Sequence, residues 1–245
     1  MTTPDHPMRL SVVVPVRNEE GNVEPLINEI IAACHSVGAF EIIYIDDGST
    51  DQTLPRLQTL KAKLPMLRVL HHQSSCGQSA AVRSGVMIAQ GQVIVTLDGD
   101  GQNNPAYIPQ MLTQIETNPQ IGMVAGQRVG RRDTVFKRWQ SRTANRVRAW
   151  VLKDSTRDTG CGLKAIMRDV YLALPYFDAL HRFMPALVVR EGYLVSHVDV
   201  TDRPRYTGVS NYGFFDRLWV GIKDLIGVAW LISRRKKIPV VTEIV

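Results

Sequence analysis

Two short apolar runs in this 245-residue chain each end on paired acidic residues, and that pattern limits the fold more than any other feature. Gln92-Val93-Ile94-Val95-Thr96-Leu97 runs into Asp98-Gly99-Asp100-Gly101-Gln102, and Glu41-Ile42-Ile43-Tyr44-Ile45 runs into Asp46-Asp47-Gly48-Ser49-Thr50-Asp51. Continuous apolar runs of this length read as strands buried on both faces, as in a parallel sheet covered by helices. Both acidic clusters then lie at the carboxyl ends of strands, the edge at which open α/β sheets bind ligands. Carboxylates gathered on one edge repel one another unless a cation or donor groups compensate them. Asp98 and Asp100, two residues apart beside glycine, can turn toward one point and share a divalent cation through hard oxygen ligands. That cation would hold a diphosphate.

The rest of the first half repeats the same unit. Strands over Leu10–Val14, Glu41–Ile45, Leu67–Leu70 and the run ending at Asp98 alternate with helices over Val23–Ser36, Gln52–Lys63 and Gln78–Ala89. A β-α-β series of this kind predicts an α/β fold, a mostly parallel sheet flanked by helices. Asn22 and Asp51 suit N-caps, and Asn104-Pro105 suits a cap with proline at the first helical position before a helix over Tyr107–Glu116. After Met123–Gly126 the regular alternation ends. With 44% apolar residues the chain can bury a full core. Cys34, Cys76 and Cys161 are odd in number and widely spaced, which argues against a disulfide framework or a zinc site and fits a reducing cytoplasm. Residues 1–8 carry no secretory signal pattern and are expected to be disordered.

Charge divides the chain. Residues 1–125 hold 7 Lys/Arg against 12 Asp/Glu, whereas residues 126–245 hold 22 against 11, a balance of +11 in the second half. Such asymmetry points to an anionic partner: nucleic acid, a membrane surface or a phosphorylated substrate. A helix over about Thr134–Leu152 sets Phe136, Trp139, Val147, Trp150 and Val151 among arginines, and suits a bilayer surface. The segment Phe214–Ile232 nearly reaches spanning length. Lys223-Asp224 at its centre would be costly in hydrocarbon, so an interfacial helix is expected, its tryptophans and Arg234-Arg235-Lys236-Lys237 anchoring it at an anionic leaflet.

No G-x-G-x-x-G follows the first strand, and no P-loop, H-E-x-x-H or G-x-S-x-G occurs. The order Val12-Val13-Val14-Pro15-Val16-Arg17-Asn18-Glu19, Asp46-Asp47-Gly48-Ser49-Thr50-Asp51 and Asp98-Gly99-Asp100 resembles family 2 glycosyltransferases. Within them the chain is most similar to polyprenyl-phosphate glycosyltransferases of the dolichyl-phosphate mannose synthase type. Asp98, Asp100, Gln102 and Pro105 match that group's D-x-D-x-Q-x-x-P. Gly77–Gly85 with Arg83, Arg157–Gly162, His181–Pro185 and Arg203–Tyr212 match further. The resemblance implies a GT-A fold over 9–212, a nucleotide-sugar half (9–126) and an acceptor half (127–212), with a C-terminal amphipathic membrane-interface helix and basic tail over 213–245. It implies Mg²⁺ or Mn²⁺ on Asp98, Asp100 and Gln102. Pro15, Arg17, Glu19, Asp46, Asp47, Gln78, Arg83 and Gly99, with the acidic triplet, would bind the nucleotide sugar. Arg128, Arg131, Arg203, Arg205 and Ser210 would meet the acceptor phosphate. Asp158 would order sugar hydroxyls or position the arginines. Arg17 departs from relatives that stack an aromatic ring on the base, and Asn211 stands where mannose synthases carry lysine.

The expected activity is therefore metal-dependent, inverting transfer of a sugar from GDP-mannose or a UDP-hexose or UDP-uronic acid to a polyprenyl phosphate, in cell-envelope biosynthesis. A lipid phosphate is already anionic and needs no general base, so alignment and charge suffice. The alternative is a hydroxyl acceptor, with Asp158 as base. A nucleic-acid-binding module would leave the acidic clusters unexplained, so no nucleic acid is expected. The expected site of action is the cytoplasmic face of the inner membrane, held peripherally or monotopically, with homo-oligomerisation left open. His181 suits a phosphate contact or a structural role equally.

Overall fold

The computed structural model describes residues 8–129, 148–152, 154, 156–203, 214–234 and 242, with only the backbone described over 214–220. The expected interfacial helix over Thr134–Leu152 falls outside these residues except for helical residues 148–152, and most of the basic tail and residues 1–7 also lie outside them.

Seven strands form one sheet: β1 (Leu10–Val16), β2 (Phe40–Asp47), β3 (Leu67–His72), β4 (Val93–Thr96), β5 (Ile121–Arg128), β6 (Lys164–Met167) and β7 (Leu194–Val200). Their order is β3-β2-β1-β4-β6-β5-β7. All neighbours pair in parallel except β6, which runs antiparallel between β4 and β5. The first-half strands and helices fall within a few residues of where hydrophobic periodicity puts them. The second half contributes β6 and β7, which that periodicity did not show.

Alternate residues of each strand feed two cores, as the two-residue period of a strand requires. Val12, Val14, Ile42 and Tyr44 face one layer with α1 (Val23–Cys34), α2 (Thr53–Lys61) and α4 (Ile108–Thr117). Val13, Ile43 and Ile45 face the other, with α3 (Gln78–Ile88), α5 (Arg168–Ala173), α6 (Leu180–Arg190) and α7 (Phe214–Ser233). β1, β2 and β4 are apolar nearly throughout because both of their faces are covered.

Asn104 caps as expected, its side chain accepting from the Ala106 N–H at 3.0 Å, and Asp51 accepts from the Thr53 N–H at 3.0 Å. Asn22 does not cap α1 through its side chain, because its amide donates instead to Glu19 Oε2 at 2.6 Å. The amino-terminal edge of the sheet is closed by Glu41, which accepts from Ser11, Arg68 and the Gln90 N–H. That leaves the carboxyl edge for chemistry.

α7 lies against α6, with Val228 buried and Leu225, Ala229 and Ile232 packed on the second core. The Arg190 guanidinium donates to the Leu231 carbonyl at 3.0 Å. Its opposite face exposes Ile222, Ile226 and Trp230, spaced four residues apart. Among the described residues no helix is long and apolar enough to cross a membrane.

Candidate active site

The parallel register of β2, β1 and β4 brings Asp46, Val16 and the chain beyond Thr96 to one edge, so the two acidic clusters share it. β4 ends at Thr96 and the chain turns sharply. The Asp98 N–H donates to Asn103 Oδ1 at 3.0 Å, the Gln102 N–H donates to Asp100 Oδ1 at 3.1 Å, and Gly101 takes φ +73°. Gly99 packs so close to Val16 that a Cβ would collide with its side chain. Gln78, at the start of α3, donates to Asp98 Oδ1 at 2.7 Å. Burial and the charge of Asp100 push the Asp98 carboxyl up to about 6, against Lys164, Arg128 and the Gln78 amide, which favour its anion. Two carboxylates in mutual repulsion, one of them lining a pocket, are a donor set that fits a hard divalent cation.

Opposite stands the turn before β6. Gly162 leaves no room for a Cβ against the Asp98 carboxylate, and Thr96 Oγ1 donates to the Gly162 carbonyl at 2.8 Å. Between the two walls lies a cavity of about 160 Å³. Pro15, Gln78, Thr96 and Asp98 line one side, and Cys161, Gly162, Lys164, His181 and Arg182 the other. Lys164 is only 2% exposed and donates to the Cys161 carbonyl. His181 shares a 2.9 Å hydrogen bond through Nδ1 with Ser79 Oγ. Burial, reinforced by Lys164 and Arg182, pushes its imidazole down to about 3, so it is neutral at physiological pH. Burial also raises the Cys161 thiol to about 11, so it is not a thiolate.

Arg128, at the end of β5, is held by Asp158: Nε donates to Oδ2 at 2.6 Å and the guanidinium reaches Oδ1 at 2.9 Å, with Asp202 at 3.5 Å. Burial works against this guanidinium, but Asp158 and Asp202 outweigh it and raise its pKa. Asp158 also accepts from the Arg128 and Gly160 N–H groups, so its oxygens are directed at the protein. This arrangement fixes the Arg128 guanidinium in place.

Other expected site residues sit differently. Arg203 does not line the cavity: its guanidinium donates to Glu29 Oε1 at 2.7 Å and to Asn104 Oδ1 at 2.5 Å, and its N–H donates to the Gln102 carbonyl. Gln102 Nε2 lies 3.4 Å from the Arg203 carbonyl. Arg83 stacks over the Tyr176 ring at 4.4 Å and does not line the cavity. Asp47 has both oxygens committed: Oδ1 to His72 and the Cys76 N–H, Oδ2 to Ser75 and the Gly77 N–H. Asp47, His72 and Cys76 are close enough to gather a cation, yet these hydrogen bonds account for the Asp47 carboxylate as the organiser of a turn. Asp46 pairs with His71 at 2.7 Å, and its Oδ1 is buried without a partner among the described residues. Arg17 is exposed beside it and Glu19 accepts from Asn22. Arg131, Arg205 and Ser210 lie outside the described residues.

Lys164 belongs to none of the sequence motifs. Its only sequence signal was a lysine inside the apolar run Leu163–Met167, where a charge is costly unless it serves a site.

Residues 11–174 match the family described as glycosyl transferase family 2. The chain is 34% identical over 239 residues to a dodecaprenyl-phosphate galacturonate synthase from Rhizobium johnstonii, covering 96% of this chain and 70% of that protein. It is also 34% identical over 209 residues to an undecaprenyl-phosphate 4-deoxy-4-formamido-L-arabinose transferase from Pectobacterium carotovorum, covering 84% of this chain and 63% of that one. Relatives of the second kind are thus spanned over less than two thirds of their length. Among solved structures, a mannosyltransferase from Pyrobaculum calidifontis in complex with GDP-Man and Mn2+ superposes with TM-score 0.68 at 19% identity, covering 96% of this chain and 67% of that one. Glucosyl-3-phosphoglycerate synthase from Mycobacterium tuberculosis, in complex with Mn2+, UDP and its product, does so with TM-score 0.67 at 20% identity, covering 93% and 80%. At these identities the two structures establish the shared fold.

Proposed function

The chain belongs to glycosyltransferase family 2, and from that premise we propose that it moves a sugar from a nucleoside-diphosphate sugar to a polyprenyl phosphate at a membrane surface. One observation carries the choice of acceptor: the described residues lining the cavity include no competent general base. Asp98 is the only carboxylate there, and it belongs to the cation site. His181 is held neutral with a pKa near 3, too low for an effective base at physiological pH. Asp158 is spent on Arg128. A hydroxyl acceptor needs a base, whereas a phosphate monoester does not.

The donor would lie along the carboxyl edge with its base toward Asp46, whose buried and unpartnered Oδ1 suits an N–H or ribose hydroxyl, and with Pro15 and Gln78 along its length. Asp98 and Asp100 would hold a divalent cation, Mg²⁺ or Mn²⁺, with Gln102 as the third ligand; when bound, it neutralises the departing diphosphate. Arg128, braced by Asp158, would hold the acceptor phosphate for attack on the face opposite the leaving group, which inverts the anomeric centre. Arg131, Arg205 and Ser210 remain expected partners of that phosphate.

The relatives' names, dodecaprenyl- and undecaprenyl-phosphate enzymes, support a membrane lipid as acceptor. The exposed Ile222, Ile226 and Trp230 of α7, with Arg234 beside Trp230, form a face suited to an anionic leaflet on the cytoplasmic side. The test is transfer of radiolabelled sugar into the organic phase by purified protein, with and without polyprenyl phosphate, across a nucleotide-sugar panel with Mn²⁺ or Mg²⁺. Label entering the lipid phase only when acceptor and cation are both present supports the reading. Transfer to a hydroxyl acceptor in its place would overturn it.

A further inference from the structure

The cavity beside Asp98 has a floor that the reaction as described does not use. Its volume of about 160 Å³ has room for several water molecules. That is too large for an ion alone and suited to a ring-sized polar group. Asp98, the expected cation ligand, marks where a donor's diphosphate would lie, so the group nearest the floor is the sugar attached to it.

Lys164 occupies that floor. It is 2% exposed and sits on β6, paired with Thr96 of β4 and Ala125 of β5, so strands on both sides hold its backbone. Among the described residues its ammonium donates one hydrogen bond, to the Cys161 carbonyl, out of the three it can make. Burial lowers its pKa, and the nearby groups that oppose this, Asp98 and Asp158 among them, do not cancel it. Asp158 is already shared with Arg128, and Asp98 is the group a cation would claim. His181 and Arg182 complete the same wall, the first as a neutral imidazole and the second as a cation at the exposed rim. A buried ammonium with donors to spare, lining a polar cavity, calls for an anionic oxygen ligand.

We propose that Lys164 is a specificity-determining residue that receives a carboxylate on the donor sugar, so that the preferred substrate class is a nucleoside-diphosphate hexuronate and not the neutral hexose. This rests on the glycosyltransferase reading above. A lipid phosphate offers the same oxyanion chemistry, but it must remain joined to a polyprenyl chain at the membrane, whereas the floor of a cavity this small is reached by the sugar.

The experiment is donor binding by calorimetry with Mn²⁺ and no lipid, comparing UDP-galacturonate with UDP-galactose and UDP-glucuronate with UDP-glucose. GDP-mannuronate and GDP-mannose replace them if GDP is the nucleotide that binds. The members of each pair differ only in carboxylate against hydroxymethyl. The wild-type protein is expected to bind a uronate roughly 10- to 100-fold more tightly than its neutral twin, as one charge-assisted hydrogen bond would supply. Lys164→Gln, which keeps a donor for the Cys161 carbonyl, and Lys164→Met should both bring that ratio close to one. Equal affinity within every pair in the wild-type protein would overturn the proposal, as would an unchanged ratio in both variants. A Lys164→Gln variant that instead raises KM for polyprenyl phosphate, with the donor ratio untouched, would assign the lysine to the acceptor and also overturn it. Binding of UDP or GDP alone serves as the control: if neither binds, the glycosyltransferase reading fails and not merely the sugar assignment.

Discussion

At the scale of single residues, the site stores an electrostatic cost that function explains. Asp98 titrates near 6 where an ordinary carboxyl titrates near 3.8, so the fold favours its protonated form. The sign follows: the raised pKa contributes stability that is fully present below about pH 4 and lost as pH rises through 6. Asp98→Asn should therefore stabilise metal-free protein at pH 7.5 by on the order of 1 kcal/mol after allowing for solvent in the pocket, which a higher melting temperature would report. The gain should vanish by pH 4 in a thermal-shift series, and the same variant should lose Mn²⁺-dependent nucleotide binding. Asp158 gives a second prediction. As a brace for Arg128 it should tolerate replacement by Asn with a reduced kcat and a raised KM for polyprenyl phosphate, and with the pH profile unchanged in shape. Loss of an ascending limb from that profile would instead make Asp158 a base.

Turns decide the geometry at the scale of elements. Gly48 follows β2 at φ +69°, and a Cβ there would come within 2.8 Å of the Ser75 amide nitrogen. Asp47 fastens the facing 72–77 segment through four hydrogen bonds. Gly48→Ala should cost about 1–3 kcal/mol in denaturant unfolding, because backbone strain and a backbone clash act together. This part of the chain was legible beforehand, since D-D-G-S-T-D after an apolar run names a strand, a turn and a helix start within a dozen residues. What could not be read locally was which aspartate offers a free oxygen. Asp46 and Asp47 are neighbours in sequence, yet alternation points them to opposite faces: Asp46 meets His71, and Asp47 meets the 74–77 turn. Arg203 shows the same limit, because an arginine in a motif says nothing of the Glu29 that awaits it on α1.

On the scale of the whole molecule, charge and apolar surface are divided between functions. The acidic half builds the sheet edge, and the half with a balance of +11 carries the exposed face of α7. Ile226 and Trp230 are 65% and 58% exposed, so Ile226→Glu with Trp230→Glu should leave the melting temperature within a degree or two while weakening sedimentation with phosphatidylglycerol vesicles at least tenfold. Binding of the unaltered protein should also fall as salt is raised from 0.05 to about 0.5 M, since the Debye length shrinks well below 10 Å. Retention at high salt on neutral vesicles would instead assign the attachment to apolar insertion alone.

The sequence by itself determined the parallel half of the sheet, the acidic edge and the family, because strand period, turn chemistry and paired carboxylates are written within a few residues of one another. Only the tertiary structure decided what faces Asp98. β6 enters antiparallel between β4 and β5 and sets Lys164 beside Thr96, while α6 brings His181 to Ser79. Those neighbours are far apart along the chain, and their meeting is fixed by sheet order and helix packing, which no local pattern of residues encodes.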